Sequence, residues 1–131
     1  MVGSVEEPKG ELITLSESMT SPRGSECLFC YTYRMLSGLG CNGTLLWAAR
    51  WRDLRAPRAK ALERRLGDRG GYCDCEIFMN GWTASPTVTT YDFETDEEVW
   101  PNPMPACPGA RRWSTQPCPL WLPISRQGGA W

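Results

Sequence analysis

Apolar and polar positions recur at helical spacing in the first ordered part of the chain. Residues 28–39 are rich in aromatic, Leu and Met side chains and stop at Gly38 and Gly40, which predicts a short helix with a glycine cap. A second helix is predicted from residue 44 to about residue 54, with Thr44 as its N-cap. The pattern therefore favours a helical start to the domain.

A third helix is predicted after a proline. Pro57 suits a first helical turn, and Ala59, Leu62 and Leu66 then follow the i, i+3, i+7 rule. The glycine pair at residues 70–71 ends the helical region, because glycine permits a sharp backbone turn there.

Beyond this turn the pattern changes to a period of two over residues 72–79, which predicts a strand. Alternation would place Cys73 and Cys75 on one face, continuous with Ile77 and Met79. Two near-parallel thiols on a strand suit two ligands of one metal better than a mutual disulfide.

The pattern divides the chain into three parts. Residues 1–25 are predicted to be a flexible arm, with a short strand at 12–15 as the alternative, and residues 26–82 a cysteine-containing core of helices and strand. Residues 83–131 are rich in Pro and Trp and are predicted to lie extended over that core. The candidate anchors of this segment are Trp100, Trp113 and Trp121. The fold class is a small single α+β domain, with two or three helices on a short β-hairpin or sheet.

Length and composition agree with one globular domain of 131 residues, of which 41% are hydrophobic and 22% charged. The complete lack of histidine excludes Ser-His-Asp triads and every imidazole base. The net charge of −1 combines a +5 stretch at residues 50–69 with a −5 stretch at residues 91–98. Mixed charges at helical spacing favour a solvated helix face, and a pI near 5.5 argues against a dedicated nucleic-acid binder.

No basic and apolar leader is visible at the N-terminus, and no apolar stretch is long enough for a membrane span. We therefore expect a cytoplasmic protein without membrane contacts. In that compartment disulfides are rare, and spaced cysteines more often bind metal or perform redox chemistry.

Seven cysteines carry the candidate chemistry. Cys27-x-x-Cys30 and Cys73-x-Cys75 together supply four soft sulfur ligands, the set for a closed structural zinc site. Iron–sulfur ligation and a dithiol redox centre are the less favoured alternatives. Cys107 and Cys118 are either bystanders or a second, weaker thiol pair.

Two sequence blocks resemble the uncharacterised bacterial family called domain of unknown function 2695. Residues 70–80 resemble its Gly-Gly-Tyr-Cys-Asp-Cys-Glu block, and residues 41–45 resemble its Cys-Asp-His-Thr-Leu block. The resemblance implies a small domain of metal-binding appearance and no established activity.

The chain departs from the family pattern at Gly43, where the family usually has histidine. The resemblance therefore implies that Cys41, Cys73 and Cys75 bind zinc with a fourth thiolate from Cys30 or Cys27 in place of the imidazole. The rival ligand set consists of Cys27, Cys30, Cys73 and Cys75.

The function predicted from the sequence is a zinc-stabilised interaction module with an unknown protein partner, and an enzyme is disfavoured. One alternative is a metal-dependent enzyme or thiol redox protein. In that reading Glu76 would be a base beside zinc, but alternation directs it away from the sulfur face. The other alternative is a weak nucleic-acid binder that uses the basic residues 50–69.

Overall fold

A computed structural model describes residues 17–124 of the chain. Helical residues 17–19 precede the labelled α-helices, which are α1 (Leu28–Leu39), α2 (Leu46–Arg55), α3 (Leu62–Asp68) and the single turn α4 (Asp74–Glu76). Helix α4 continues into a π-helical turn at Ile77–Gly81. The strands are β1 (Trp82–Ala84), β2 (Thr90–Asp92), β3 (Glu97–Val99) and β4 (Trp121–Pro123). The predicted α+β class is confirmed. Within residues 17–124, no helix has the length and apolar character needed to cross a membrane.

Helix α1 has the bounds that its apolar pattern predicts. It begins after Cys27, whose sulfur accepts a hydrogen bond from the backbone N–H of Cys30. It ends at Gly40, where a φ of 79° lets the backbone turn. The backbone N–H of Gly40 donates a hydrogen bond to the carbonyl of Leu36. A side-chain cap and a glycine stop thus fix both ends locally.

Helices α2 and α3 start later than the pattern predicts. Thr44 is not the N-cap of α2, because its hydroxyl and its backbone N–H both bond the side-chain carbonyl of Asn42. The first N–H groups of α2 are instead satisfied by the buried carboxylate of Asp74 from another segment. Residues 57–61 form turns before α3, so Pro57 lies outside that helix.

The predicted strand over residues 72–79 is wrong. The segment forms α4 and the π-helical turn, and its buried positions include Asp74, Ile77 and Gly81, which recur at helical spacing. The backbone N–H of Asp74 bonds the carbonyl of Thr44, a contact from outside the segment. Residues 72–79 are too few for their polarity pattern to distinguish a strand from a helix, so the tertiary contacts select the helical turn.

Two antiparallel pairs of short strands follow. Strand β1 pairs with β4, and Ala84 lies opposite Trp121 in their register. Strand β2 pairs with β3 in a separate hairpin. Because β4 is close to the end of the described chain, the β1–β4 pairing returns the C-terminal segment to the core.

Aromatic side chains bind this segment to the core. Trp121 is buried and lies 5.3 Å from the ring of Tyr33 and 4.9 Å from that of Phe78, measured between ring centroids. Half-buried Trp100 contacts the same cluster. The prediction of Trp113 as an anchor is wrong, because 67% of its surface is exposed.

The described part of the predicted N-terminal arm packs on the helices. The hydroxyl of Tyr31 donates to the carbonyl of Thr20, and the same carbonyl accepts from Arg50. Arg34 donates a hydrogen bond to the carbonyl of Ser21 at 3.1 Å. The short strand suggested at residues 12–15 lies outside the described residues.

Candidate metal centres

Four cysteine side chains meet where α1 begins and the C-terminal segment crosses it. The sulfurs of these residues all lie within 4.8 Å of one another, and we call the group the four-cysteine centre: Cys27, Cys30, Cys107 and Cys118. Three are buried, and Cys107 is partly exposed. The residues come from sequence positions up to 91 apart, so the centre exists only in the folded chain.

Local structure directs each sulfur inward. Cys27 is the N-cap of α1 and Cys30 lies in its first turn, which brings both thiols to the same end of the helix. Cys118 lies three residues before Trp121, the first residue of β4, and its carbonyl accepts the backbone N–H of Trp121. Cys107 lies in a Cys-Pro-Gly turn, where Gly109 has a φ of 109°.

Backbone and indole N–H groups surround the sulfurs. The N–H of Cys27 and the N–H of Gly109 each donate to the sulfur of Cys107 at 3.3 Å. The indole of Trp121 donates to the sulfur of Cys30 at 3.3 Å. Donors of this kind stabilise thiolate charge and orient metal ligands.

The distances fit one tetrahedral ion. Zinc–sulfur bonds of about 2.3 Å in a tetrahedron separate the sulfurs by about 3.8 Å. The sulfurs of Cys30 and Cys118 are 3.5 Å apart, far beyond a disulfide bond. Four thiols at these separations need little rearrangement to bind one ion.

The thiols of this centre also affect each other's ionisation. Hydrogen bonds from Cys118 and Cys30 lower the pKa of Cys27 to about 2, because they stabilise its thiolate. Hydrogen bonding with the neighbouring thiolate raises the pKa of Cys118 to about 12, and Cys118 and Cys27 raise that of Cys30. The metal-free centre is therefore expected to hold one stabilised thiolate and shared protons, which a divalent cation would displace.

A second group lies at the surface. The sulfurs of Cys41, Cys73 and Cys75 are also within 4.8 Å of one another, and we call them the three-cysteine centre. Cys41 is exposed, Cys75 is partly exposed and Cys73 is buried. The sulfurs of Cys73 and Cys75 are 3.2 Å apart, because the turn into α4 places them side by side.

The same backbone device occurs in both centres. At Cys41 the N–H of Gly43 donates to the sulfur at 3.4 Å, and Gly43 has a φ of 86°. At Cys107 the N–H of Gly109, again two residues later and again with positive φ, donates to the sulfur. Each Cys-x-Gly turn thus offers an N–H to a sulfur from a conformation that favours glycine.

Asp74 connects the three-cysteine centre to the core. Its carboxylate is fully buried and accepts the backbone N–H groups of Trp47 at 2.8 Å and Ala48 at 3.0 Å. Burial raises the pKa of this carboxyl, and the two N–H donors partly oppose the rise. Because Asp74 lies between Cys73 and Cys75, its anchoring fixes both thiols relative to α2.

Ionisation in the three-cysteine centre is also shared. Desolvation acts to raise the pKa of the Cys41 thiol, but the net effect is a lowered pKa. The lowering comes from hydrogen bonds that stabilise the thiolate: backbone bonds from Cys75 and Gly43, and thiol bonds from Cys75 and Cys73. Hydrogen bonds with Cys73 and Cys41 raise the pKa of Cys75 to about 12.

The middle of the chain matches a known family. Residues 28–80 match the family described as Protein of unknown function (DUF2695). This match confirms the predicted resemblance over somewhat less than half of the chain. No curated protein and no solved structure matches the sequence.

The DUF2695 match contains the whole three-cysteine centre but only Cys30 of the four-cysteine centre. Cys27 and the two cysteines of the C-terminal segment lie outside it. The four-cysteine centre therefore connects the matched segment to the rest of this chain.

The five candidate ligands, from which the sequence predicts alternative sets of four, are divided between two groups. The structure brings Cys41, Cys73 and Cys75 together as predicted, but it places Cys27 and Cys30 in the other centre. Neither Cys27 nor Cys30 lies in the three-cysteine centre, because the start of α1 faces the C-terminal segment instead.

Sequence reasoning left the role of Cys107 and Cys118 open, and the structure assigns both to the four-cysteine centre. The Cys-Pro-Gly turn at residues 107–109 was the available signal. Glu76 accepts the backbone N–H of Tyr72, which gives its carboxylate a structural partner.

Proposed function

We propose that this protein is a small zinc-stabilised interaction module, in which the four-cysteine centre binds a structural zinc ion. The observation that carries the proposal is the convergence of four mutually close thiols, three of them buried, from two distant parts of the chain. A closed set of four thiolates is the usual ligand set of structural zinc.

The proposed ion would fasten the C-terminal segment to α1. Cys27 and Cys30 belong to the start of α1, whereas Cys107 and Cys118 belong to the segment that ends in β4. The β1–β4 pair is three residues long on each side, so its hydrogen bonds alone are few. Metal affinity would therefore add to the free energy of folding of the whole domain.

The chemistry of the donors supports zinc over harder ions. Thiolates bind zinc, copper(I) and iron–sulfur clusters, whereas magnesium and calcium prefer oxygen. Four thiolates with Zn²⁺ leave a formal charge of −2, which the surrounding N–H donors to Cys30 and Cys107 would partly neutralise. Metal binding also requires the thiols to stay reduced, and the cytoplasm is the compartment that keeps thiols reduced, so the proposal includes a cytoplasmic location.

The first experiment measures metal content and the order of the C-terminal segment. Cys107→Ser is expected to remove about one zinc ion per chain and to make residues 101–120 sensitive to brief proteolysis. Ala106→Ser is the matched control, because it adds the same hydroxyl at an adjacent exposed position. Zinc content and protease resistance equal to wild type in Cys107→Ser would contradict the proposal.

The interaction part of the proposal is supported by the β2–β3 hairpin. Tyr91 and Phe93 form a T-shaped pair 4.8 Å apart, and 87% of Phe93 is exposed. The residues 91–98 around them carry five acidic and no basic side chains. An exposed aromatic pair among like charges suits a basic protein surface with an apolar or cationic centre.

A binding assay tests this surface. Fluorescently labelled Lys/Arg-rich peptides are expected to bind the wild-type protein with an affinity that falls with salt. Phe93→Ala and Glu98→Lys should weaken binding, whereas Asp68→Lys, at an exposed acidic position on α3, should weaken it less. Equal loss in all three variants would show that the hairpin is not the binding surface.

A further inference from the structure

We propose that the three-cysteine centre is a second metal site that holds a thiophilic divalent ion exchangeably, with its fourth coordination position open to an external ligand. The site is distinct from the four-cysteine centre and does not depend on it for ligands. Three features support this proposal: three mutually close thiols, the Cys-x-Gly turn at Cys41, and the buried carboxylate of Asp74 between the other two cysteines.

The geometry of a bound ion is already present. All three sulfurs lie within 4.8 Å of one another, and the separation needed around one tetrahedral ion is about 3.8 Å. The Cys-x-Gly turn at Cys41 repeats the turn at Cys107 of the other centre, with an N–H directed at the sulfur. The buried carboxylate of Asp74 holds the other two thiols in place.

The neighbouring carboxylates are committed to other partners. Asp74 is bonded to two backbone N–H groups of α2, and Glu76 accepts the N–H of Tyr72. Among residues 17–124, the group of mutually close ligand atoms contains these three cysteines and no fourth residue. Water or an external ligand would therefore take the fourth position.

The surface leaves room for that ligand. Cys41 is exposed, and a Cβ atom added to Gly43 would meet no atom within 4 Å. Three thiolates with a divalent ion also carry a formal charge of −1, one unit less negative than the closed centre. A less negative, solvent-accessible ion accepts an incoming thiolate or imidazole more readily.

The proposed chemistry is ligand exchange without electron transfer. On binding, each thiol that is protonated loses one proton to solvent, and three metal–sulfur bonds form as the hydrated ion releases the water molecules that the sulfurs replace. An incoming ligand then replaces the water on the ion. Such a site can give its ion to a competing thiolate acceptor, whereas the closed centre retains its ion.

Cobalt(II) provides the test, because its visible absorption reports thiolate ligation and coordination number. Reduced wild-type protein is expected to bind about two Co²⁺ ions per chain with thiolate charge-transfer bands. Addition of imidazole should change the visible bands of one ion only. A chromogenic chelator should remove that ion at least about tenfold faster than the other.

Variants at partly exposed and exposed positions identify the ion. Cys41→Ser and Cys75→Ser should each lose the rapidly removed, imidazole-sensitive ion and retain the slow one. Ser37→Ala, an exposed substitution at the end of α1, is the control and should retain both. Retention of both ions in Cys41→Ser, or the absence from wild type of a rapidly removed, imidazole-sensitive ion, would each overturn the proposal.

The result for this centre is separable from that for the proposed structural zinc. Cys107→Ser should lose the slowly removed ion and keep the imidazole-sensitive one. Loss of both ions in Cys107→Ser, with the α-helical circular dichroism unchanged, would show that the three-cysteine centre requires the closed centre and overturn its independence.

Discussion

Replacement of Asp74 by alanine is expected to destabilise the domain strongly. The carboxylate accepts the backbone N–H groups of Trp47 and Ala48, which begin α2 in a buried environment. In Asp74→Ala both donors would lose their acceptor, at a cost of about 1–3 kcal/mol for each unsatisfied buried group.

Two opposing contributions set the net magnitude. The lost hydrogen bonds amount to about 2–6 kcal/mol, whereas removing a buried charge recovers part of this. The raised pKa of Asp74 shows that burial opposes its ionisation, so the recovery is real. We therefore expect a net loss of about 2–4 kcal/mol in the free energy of unfolding.

Urea denaturation of the metal-loaded protein, followed by far-ultraviolet circular dichroism, measures this loss. Asp74→Asn retains one carbonyl acceptor and should lie between wild type and Asp74→Ala. Asp68→Ala, at an exposed carboxylate, should change stability by less than about 0.5 kcal/mol. A loss below about 1 kcal/mol in Asp74→Ala would refute the reasoning, because the two donors would then have found other partners.

Three further predictions follow from the same structure. Trp121→Ala should lower the free energy of unfolding, measured by heat or urea, by about 3–5 kcal/mol, because the ring is buried. Trp113→Ala should lower it by less than about 0.5 kcal/mol, because that ring is exposed. Similar losses in the two variants would contradict the packing described for Trp121. Burial raises the pKa of Asp74 in the folded protein above the ordinary value of 3.8. The contribution of Asp74 to the free energy of unfolding is therefore greatest below pH 3.8 and falls as the pH rises through the raised pKa. The stability advantage of wild type over Asp74→Asn should shrink as the pH rises. Acidification should release metal from both centres as protons compete for the thiolates, which a zinc-sensitive dye detects; pH-independent retention between about pH 7 and 4 would exclude thiolate ligation.

Local information determined the part of the fold that the sequence predicts well. The apolar run and the glycine at its end specify α1, because capping and periodicity act within a few residues. The two blocks around Cys41 and Cys73 likewise predict three thiols that the structure brings together. Their grouping was accessible because the resemblance relates both blocks to one family.

The wrong strand prediction has a different cause. Eight residues beginning at Tyr72 alternate in polarity, but Asp74 and Ile77 also fit a helical period. So short a segment cannot decide between the periods by itself. The contacts of Asp74 with Thr44 and with the start of α2 decide it.

The sequence by itself determined that the chain carries enough thiols for metal binding, no imidazole, and one predicted helix with fixed ends. Only the tertiary structure decided how the thiols are divided. Cys107 and Cys118 reach the start of α1 through strand pairing and aromatic packing across at least 80 residues. Such contacts depend on the burial of distant surfaces against each other, a property that no local spacing encodes.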